Sequence, residues 1–90
     1  MLQIGKTSQF KRDYKLCQKR GWDMELLKEA IRILAIPEPL SEAYQDHPLR
    51  GSYKGHRECH LSFDWLLIYR IEGDTLMLYR TGTHSDLLGR

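Results

Sequence analysis

Apolar residues recur at helical spacing in the first third of this chain and at strand spacing in the last. Phe10, Tyr14 and Cys17 fall at i, i+4 and i+7, the buried stripe of a helix. Thr7 or Ser8 is a fair N-cap, so that helix is predicted to run to Arg20 and stop at Gly21. Asp23 caps a second helix, in which Leu27, Ala30, Ile31 and Leu34 repeat until Pro37 ends the run. Trp22, just before that cap, is placed to pack on Leu27 as a hydrophobic staple. Leu2-Gln3-Ile4 reads as a short first strand.

Past Pro37 the period changes. Pro39 to Gly51 is a polar connection containing Asp46-His47-Pro48-Leu49, and Pro48 biases His47 toward an extended backbone. Three strands are predicted after it, roughly Tyr53 to Leu61, Trp65 to Glu72 and Thr75 to Thr81. Gly73-Asp74 makes a tight hairpin, and the connection at Ser62-Phe63-Asp64 is as short, so the three form an antiparallel meander. Trp65-Leu66-Leu67-Ile68-Tyr69 is apolar on both faces, as a central strand is. The predicted fold class is α+β, a two-helix hairpin packed on a small twisted antiparallel sheet.

Composition narrows the class. Ninety residues, 41% of them hydrophobic, make one domain over 1–90. No apolar run is long enough to span a membrane, and the N-terminus lacks a signal peptide's charged start and apolar stretch. Cys17 and Cys59 lie far apart with no C-x-x-C spacing, which predicts two reduced core thiols and a cytoplasmic setting. Net charge is only +2 but unevenly spread, with six Lys/Arg and one Asp in residues 1–22 against two bases and six acids in residues 23–49. Lys11, Lys15 and Lys19, at i, i+4 and i+8, form a basic helix face. Such a face attracts phosphates through counterion release, or is simply solvated.

The chemistry concentrates in the second half. His47, His60, Asp64 and His84 each sit at the edge of a predicted strand or turn. An ordinary histidine titrates near pH 6.5, roughly, and can both take and give a proton near neutrality. Adjacent strands of a meander bring their ends together, so His60, Asp64, Arg80 and His84 are expected to converge at one sheet edge, joined by His47 from the preceding loop. Asp64 is expected to hold an imidazole, that of His60, in one tautomer. Lys54, His56, Glu58 and His60 share one face of the first meander strand as read here, a polar row that lines solvent or a site. The ligand types would suit zinc, but the spacing is diffuse, and no metal or cofactor is expected. The chain has no serine nucleophile elbow, no phosphate-cradling glycine loop and no dinucleotide fingerprint.

Four segments, Tyr44-Gln45-Asp46-His47-Pro48-Leu49, Arg57-Glu58-Cys59-His60, Asp64-Trp65-Leu66-Leu67-Ile68-Tyr69 and Arg80-Thr81-Gly82-Thr83-His84-Ser85, closely resemble the YafQ toxins of the RelE/ParE superfamily. The match is strongest from Tyr44 to Gly89, and the helical half agrees in length, order and the Gln18-Lys19-Arg20 stretch. The resemblance implies a RelE-like fold and a ribosome-dependent endoribonuclease that cuts messenger RNA in the A site of the 70S ribosome. It implies metal-free attack by the 2′-hydroxyl, with His47, His60, Asp64 and His84 in the active site and Trp65 and Arg80 beside them. In that scheme His47 or His60 is the base, oriented by Asp64, and His84 is the acid. Arg80 stabilises the phosphorane with Lys54 as a helper, and Lys11, Lys15 and Lys19 dock on ribosomal RNA. His56 gets no support as a catalyst and is kept as an RNA contact. Where the family pattern can place a phenylalanine near the C-terminus this chain has Leu87-Leu88, so Leu88 takes the substrate-contact position without a ring to stack. The implied partners are a DinJ-like antitoxin with an acidic C-terminal segment, the ribosome and its messenger, and operator DNA only as the toxin–antitoxin complex. The rival is a ParE-like toxin that poisons gyrase by binding and cuts no RNA.

Overall fold

The computed structural model describes residues 1–88; Gly89 and Arg90, the end of the single-domain reading and of the strongest-matching stretch, lie outside them. Five strands, β1 (Gln3–Lys6), β2 (His47–Pro48), β3 (Arg57–Ser62), β4 (Trp65–Glu72) and β5 (Thr75–Gly82), form one sheet in the order β1-β5-β4-β3-β2. Three helices accompany it, α1 (Ser8–Lys19), α2 (Met24–Ala35) and the short α3 (His84–Leu88). The β3-β4-β5 meander is antiparallel as expected, with two-residue turns at Phe63-Asp64 and Gly73-Asp74. β1 joins β5 in parallel, so the sheet as a whole is mixed. Period-two alternation does not encode the direction in which an edge strand adds, and a helical crossover permits parallel pairing.

β4 organises the core because it is buried on both faces from Trp65 through Tyr69. Trp65, Leu67 and Tyr69 face the helices, where they meet Phe10 and Cys17 of α1 and Leu27, Ala30 and Leu34 of α2. Leu66 and Ile68 face the other way, into a smaller core closed by Leu87 of α3 with Leu49, Tyr53 and Tyr79 against it. Thr7 caps α1 by accepting from the Phe10 N–H, and Asp23 caps α2 by accepting from the Glu25 N–H. Trp22 packs tilted against Trp65, with ring centroids 5.0 Å apart. Both thiols are buried and free. Burial pushes Cys17 up to about 11 and Cys59 to about 12, which keeps them protonated and inert.

Two departures from the sequence reading matter for function. β3 begins at Arg57 rather than Tyr53, because Gly51–Tyr53 coil into a 3-10 turn and Gly55 takes φ +93°. Lys54 and His56 therefore lie outside the strand, and the expected Lys54-to-His60 row shortens to Glu58 and His60. His56 instead packs on Tyr79, with ring centroids 4.4 Å apart. The second departure is a bulge in β5. Ile68 pairs with Arg80 and Tyr69 with Leu78, leaving Tyr79 as an extra residue. Buried Thr81 then accepts from the Trp65 indole at 2.8 Å and donates to the Leu66 carbonyl at 2.8 Å.

β1 pairs only as far as Leu78, so the outer edge of β5 beyond it needs other partners. α1 supplies them. Thr7 donates its hydroxyl to the Tyr79 carbonyl, and buried Asp13 accepts from the Thr81 N–H. Asp13 also accepts two bonds from Arg80 and one from Gln9. β5 then turns into α3 through a capping box, in which Asp86 N–H donates to Thr83 Oγ1 and Thr83 N–H to Asp86 Oδ2, each at 3.0 Å. Arg20 at the end of α1 clamps Asp86 with two bonds.

Arg20, chiefly, holds the Asp86 carboxyl at about 2, and the Thr83 bonds add to it. A carboxyl depressed in the fold stabilises it fully above the ordinary carboxylate range, and the effect is lost as pH falls through about 2. Thermal melts of wild type should therefore lose on the order of 2 kcal/mol from this group between about pH 4 and 2. Asp86→Asn should be less stable at pH 6 and lose less on acidification. Equal acid sensitivity in both proteins would refute the assignment.

Candidate active site

The buried face of β3 that looks away from the helices ends in two polar residues. Glu58 pairs across with Ile68 and His60 with Leu66, so both continue the apolar row of the smaller core to its rim. β2 lies on the far side of β3 with His47 opposite Glu58. His47 Nε2 lies 2.8 Å from Glu58 Oε2, and His60 Nε2 lies 3.5 Å from the same oxygen. Glu58 is only 4% exposed, and its other oxygen, Oε1, is buried with no hydrogen-bond partner. A buried carboxylate with an idle oxygen is costly unless protons or cations nearby compensate it.

A second carboxylate–imidazole couple faces the first. Asp64, in the β3–β4 turn, accepts from the backbone N–H of His84 at 2.9 Å and pairs with its ring Nδ1 at 2.7 Å. It thus satisfies one free amide at the start of α3 while fixing the imidazole. The His84 amide first, and its ring second, hold the Asp64 carboxyl below the usual carboxylate range, so this exposed group stays ionised at neutral pH. The His60 and His84 rings stand edge-on, with centroids 5.7 Å apart, and His47 and His60 are 6.3 Å apart. His47, His60, Asp64 and His84 therefore sit together, His60 in the middle.

Several expected roles change. Asp64 holds His84, not His60; the carboxylate that addresses His47 and His60 is Glu58, which the sequence reading left out of the site. Its only signal there was a shared strand face with His60, and the burial that singles it out depends on β2 and the turns around it. Trp65 is a core residue, 2% exposed and bonded to Thr81, so it does not offer its ring to a substrate. Arg80 gives Nε and one terminal nitrogen to Asp13. Asp13 chiefly, with Tyr53 adding, raises the Arg80 pKa, so its charge is fixed but already compensated. Lys54 is exposed on the loop before β3, and Lys11, Lys15 and Lys19 are exposed on α1. Leu88 lies one helical turn beyond His84 and is 36% exposed.

Position by position, the Asp46-His47-Pro48-Leu49 segment is an anchoring device. Asp46 accepts from Arg57 Nε at 2.7 Å and from the Tyr69 hydroxyl, tying the loop to two strands. The Leu49 N–H bonds the His56 carbonyl at 2.9 Å, and its side chain enters the smaller core. His47 is held between those two attachments.

Among the described residues, His47, Glu58 and His60 also bring one ligand atom each within 4.8 Å of one another. Two imidazoles and a carboxylate are a donor set that suits zinc or copper.

A family model described as the bacterial toxin of the type II toxin–antitoxin system, YafQ, matches residues 2–89. The chain belongs to the YafQ toxin family. The mRNA interferase toxin YafQ of Escherichia coli is 45% identical over 84 residues, 92% of this chain and 91% of that protein. The crystal structure of Escherichia coli YafQ matches with TM-score 0.93 at 42% identity, covering 99% of this chain and 100% of that one. YafQ in the Escherichia coli DinJ–YafQ complex matches with TM-score 0.90 at 43% identity and the same coverage. A metal-bound toxin from Helicobacter pylori matches with TM-score 0.90 at 45% identity, covering 97% and 99%. The α+β fold read from the sequence is thus a YafQ fold.

The Asp46 anchor is testable without any activity. Asp46→Ala strands the Tyr69 hydroxyl and frees the His47 arm. It should lower stability by about 1–3 kcal/mol and broaden or shift the His47 ring signals in NMR spectra, while those of His84 stay in place. Unchanged His47 signals would show that β2 docks without Asp46.

Proposed function

We propose that this chain is the toxin of a type II toxin–antitoxin pair and a ribosome-dependent endoribonuclease acting on messenger RNA in the A site. Family membership supports the class, and the facing of two carboxylate–imidazole couples across 5.7 Å between ring centroids carries the chemistry. Of the two candidate bases, His60, addressed by Glu58 through Nε2, takes the proton of the 2′-hydroxyl through Nδ1, because His47 has Nε2 on Glu58 and Nδ1 on the Pro48 carbonyl. The 2′-oxygen attacks phosphorus, the bond to the 5′-oxygen breaks, and His84 protonates that leaving oxygen through Nε2. The products are a 2′,3′-cyclic phosphate and a 5′-hydroxyl. Asp64 keeps His84 in one tautomer by taking Nδ1. The imidazolium formed on the base side supplies positive charge close to the phosphorane, and exposed Lys54 adds to it. Arg80 is a positioning residue that fixes the end of β5 from which His84 departs. The single-domain chain works in the bacterial cytoplasm, where a DinJ-like antitoxin neutralises it and brings it to operator DNA as a complex.

Cleavage of ribosome-bound messenger should follow a bell-shaped pH profile. His84→Ala should slow it by roughly 10²–10⁴-fold, and Glu58→Gln by about 10–100-fold. Growth arrest that persists in His84→Ala without cleaved transcripts, and with gyrase-linked DNA damage, would move the chain to the ParE-like class. The triad of His47, Glu58 and His60 supports a second reading, metal binding, in line with the similarity to the metal-bound Helicobacter pylori toxin. The two readings separate on purified protein. Cleavage that requires stoichiometric bound metal replaces the acid–base account; cleavage by metal-free protein, slowed when zinc or copper is added, supports it.

Lys11, Lys15 and Lys19 provide the ribosome-facing charge in this proposal. Their triple replacement by Glu should weaken ribosome pelleting more than antitoxin binding and flatten the log–log salt dependence by roughly 2–3. Unchanged pelleting at physiological salt would leave them a solvated helix face.

A further inference from the structure

Phe63 occupies the first position of the two-residue turn between β3 and β4 and is 99% exposed. The exposure runs against its chemistry, because a phenylalanine side chain gains by leaving water. Residues that break local rules with no packing return cluster at functional positions. The setting says which function. Asp64, the next residue, holds His84. Phe63 and His60 line one open groove of about 430 Å³ together with Ala43, Gln45, Leu61 and Ser62. The groove wall carries no carboxylate, so nothing in it repels a phosphodiester, while Gln45, Ser62 and His60 offer hydrogen-bonding groups.

We infer that Phe63 is a stacking platform for one base of the RNA, holding the nucleotide so that its backbone lies at the histidine cluster. Every base has a π-face, so such a platform orients substrate without reading sequence. A ring at the tip of a two-strand turn is presented on a rigid element, and the turn residue beside it is bonded to the proposed acid. Base stacking and His84 are therefore mechanically linked through Asp64. The inference rests on the RNA-cleavage reading above.

Single-turnover cleavage on ribosomes programmed with a short messenger tests it, using an abasic ribonucleotide at each codon position in turn. Phe63→Ala should cleave the intact messenger roughly 5- to 150-fold more slowly, the equivalent of about 1–3 kcal/mol of stacking. Phe63→Trp should retain near-wild-type rates, and neither substitution should move Tm, since the side chain touches solvent. At one codon position the abasic messenger should impose the same loss on wild type and no further loss on Phe63→Ala. A Phe63→Ala protein that cuts as fast as wild type overturns the platform and leaves the nuclease intact. So does a loss that is the same on every messenger. If Phe63→Ala weakens only antitoxin binding, the ring belongs to a protein interface and the inference fails. Absence of cleavage by wild type overturns both the platform and the reading beneath it.

Discussion

The two-sided burial of β4 is the constraint from which the rest follows. A strand that is apolar on both faces cannot leave either to water, so one helical layer is insufficient. α1 and α2 cover the face of Trp65, Leu67 and Tyr69. The other face, Leu66 and Ile68, is too small for a third long helix and is closed by α3 and the loop around Leu49 and Tyr53. That improvised cover is what brings His47 and His84 to the same rim as His60. The candidate site is thus the polar border of the second core, and its side chains are placed by the same packing that keeps β4 dry.

The two carboxylates of the site divide its labour because they sit on opposite sides of that border. Glu58 is inside, bonded through one oxygen to the His47 side and left idle at the other. Asp64 is outside, and its ionisation is secured chiefly by two bonds from His84. A buried carboxylate favours a positive or proton-laden partner; an exposed one bonded at Nδ1 fixes a ring without pulling hard on its far nitrogen. The arrangement gives the three histidines different surroundings although their residue type is the same, as the proposed division into acid and base requires.

Much of this was legible in the sequence where the signal is local. Thr7, Asp23, Gly21, Pro37 and Gly73-Asp74 mark ends and turns through their own backbone and capping preferences, and the elements they bound lie where expected. The apolar run at Trp65 to Tyr69 likewise announced a strand buried on both faces. What was hidden depends on partners distant in the chain. The extra residue at Tyr79 changes which side chains of β5 face the core, and nothing in Leu78-Tyr79-Arg80 alone signals it. Asp13 looks like one acid in a basic helix until the free edge of β5 arrives to use it, and with it Arg80 passes from candidate catalyst to structural partner. Asp64 takes His84 rather than His60 for the same reason, because its turn lies next to α3, and Glu58 fills the place beside His60 that was expected of Asp64.

The Asp46-His47-Pro48-Leu49 segment shows why a short motif can carry so much information about a fold. A two-residue strand on a sheet edge has little holding it, and His47 alone could not keep it there. Asp46 fastens its start to Arg57 and Tyr69, and Leu49 fastens its end to the second core and to His56. Pro48 limits the backbone to the extended form and, lacking an N–H, suits an edge where no further strand can add. The tetrapeptide is therefore two anchors, a stiffener and one side chain of the candidate site, and each residue type answers to a different physical demand. Replacing any one of the three supports alters how long His47 spends beside Glu58, so the motif's specificity reflects the problem of holding an exposed imidazole against a buried carboxylate.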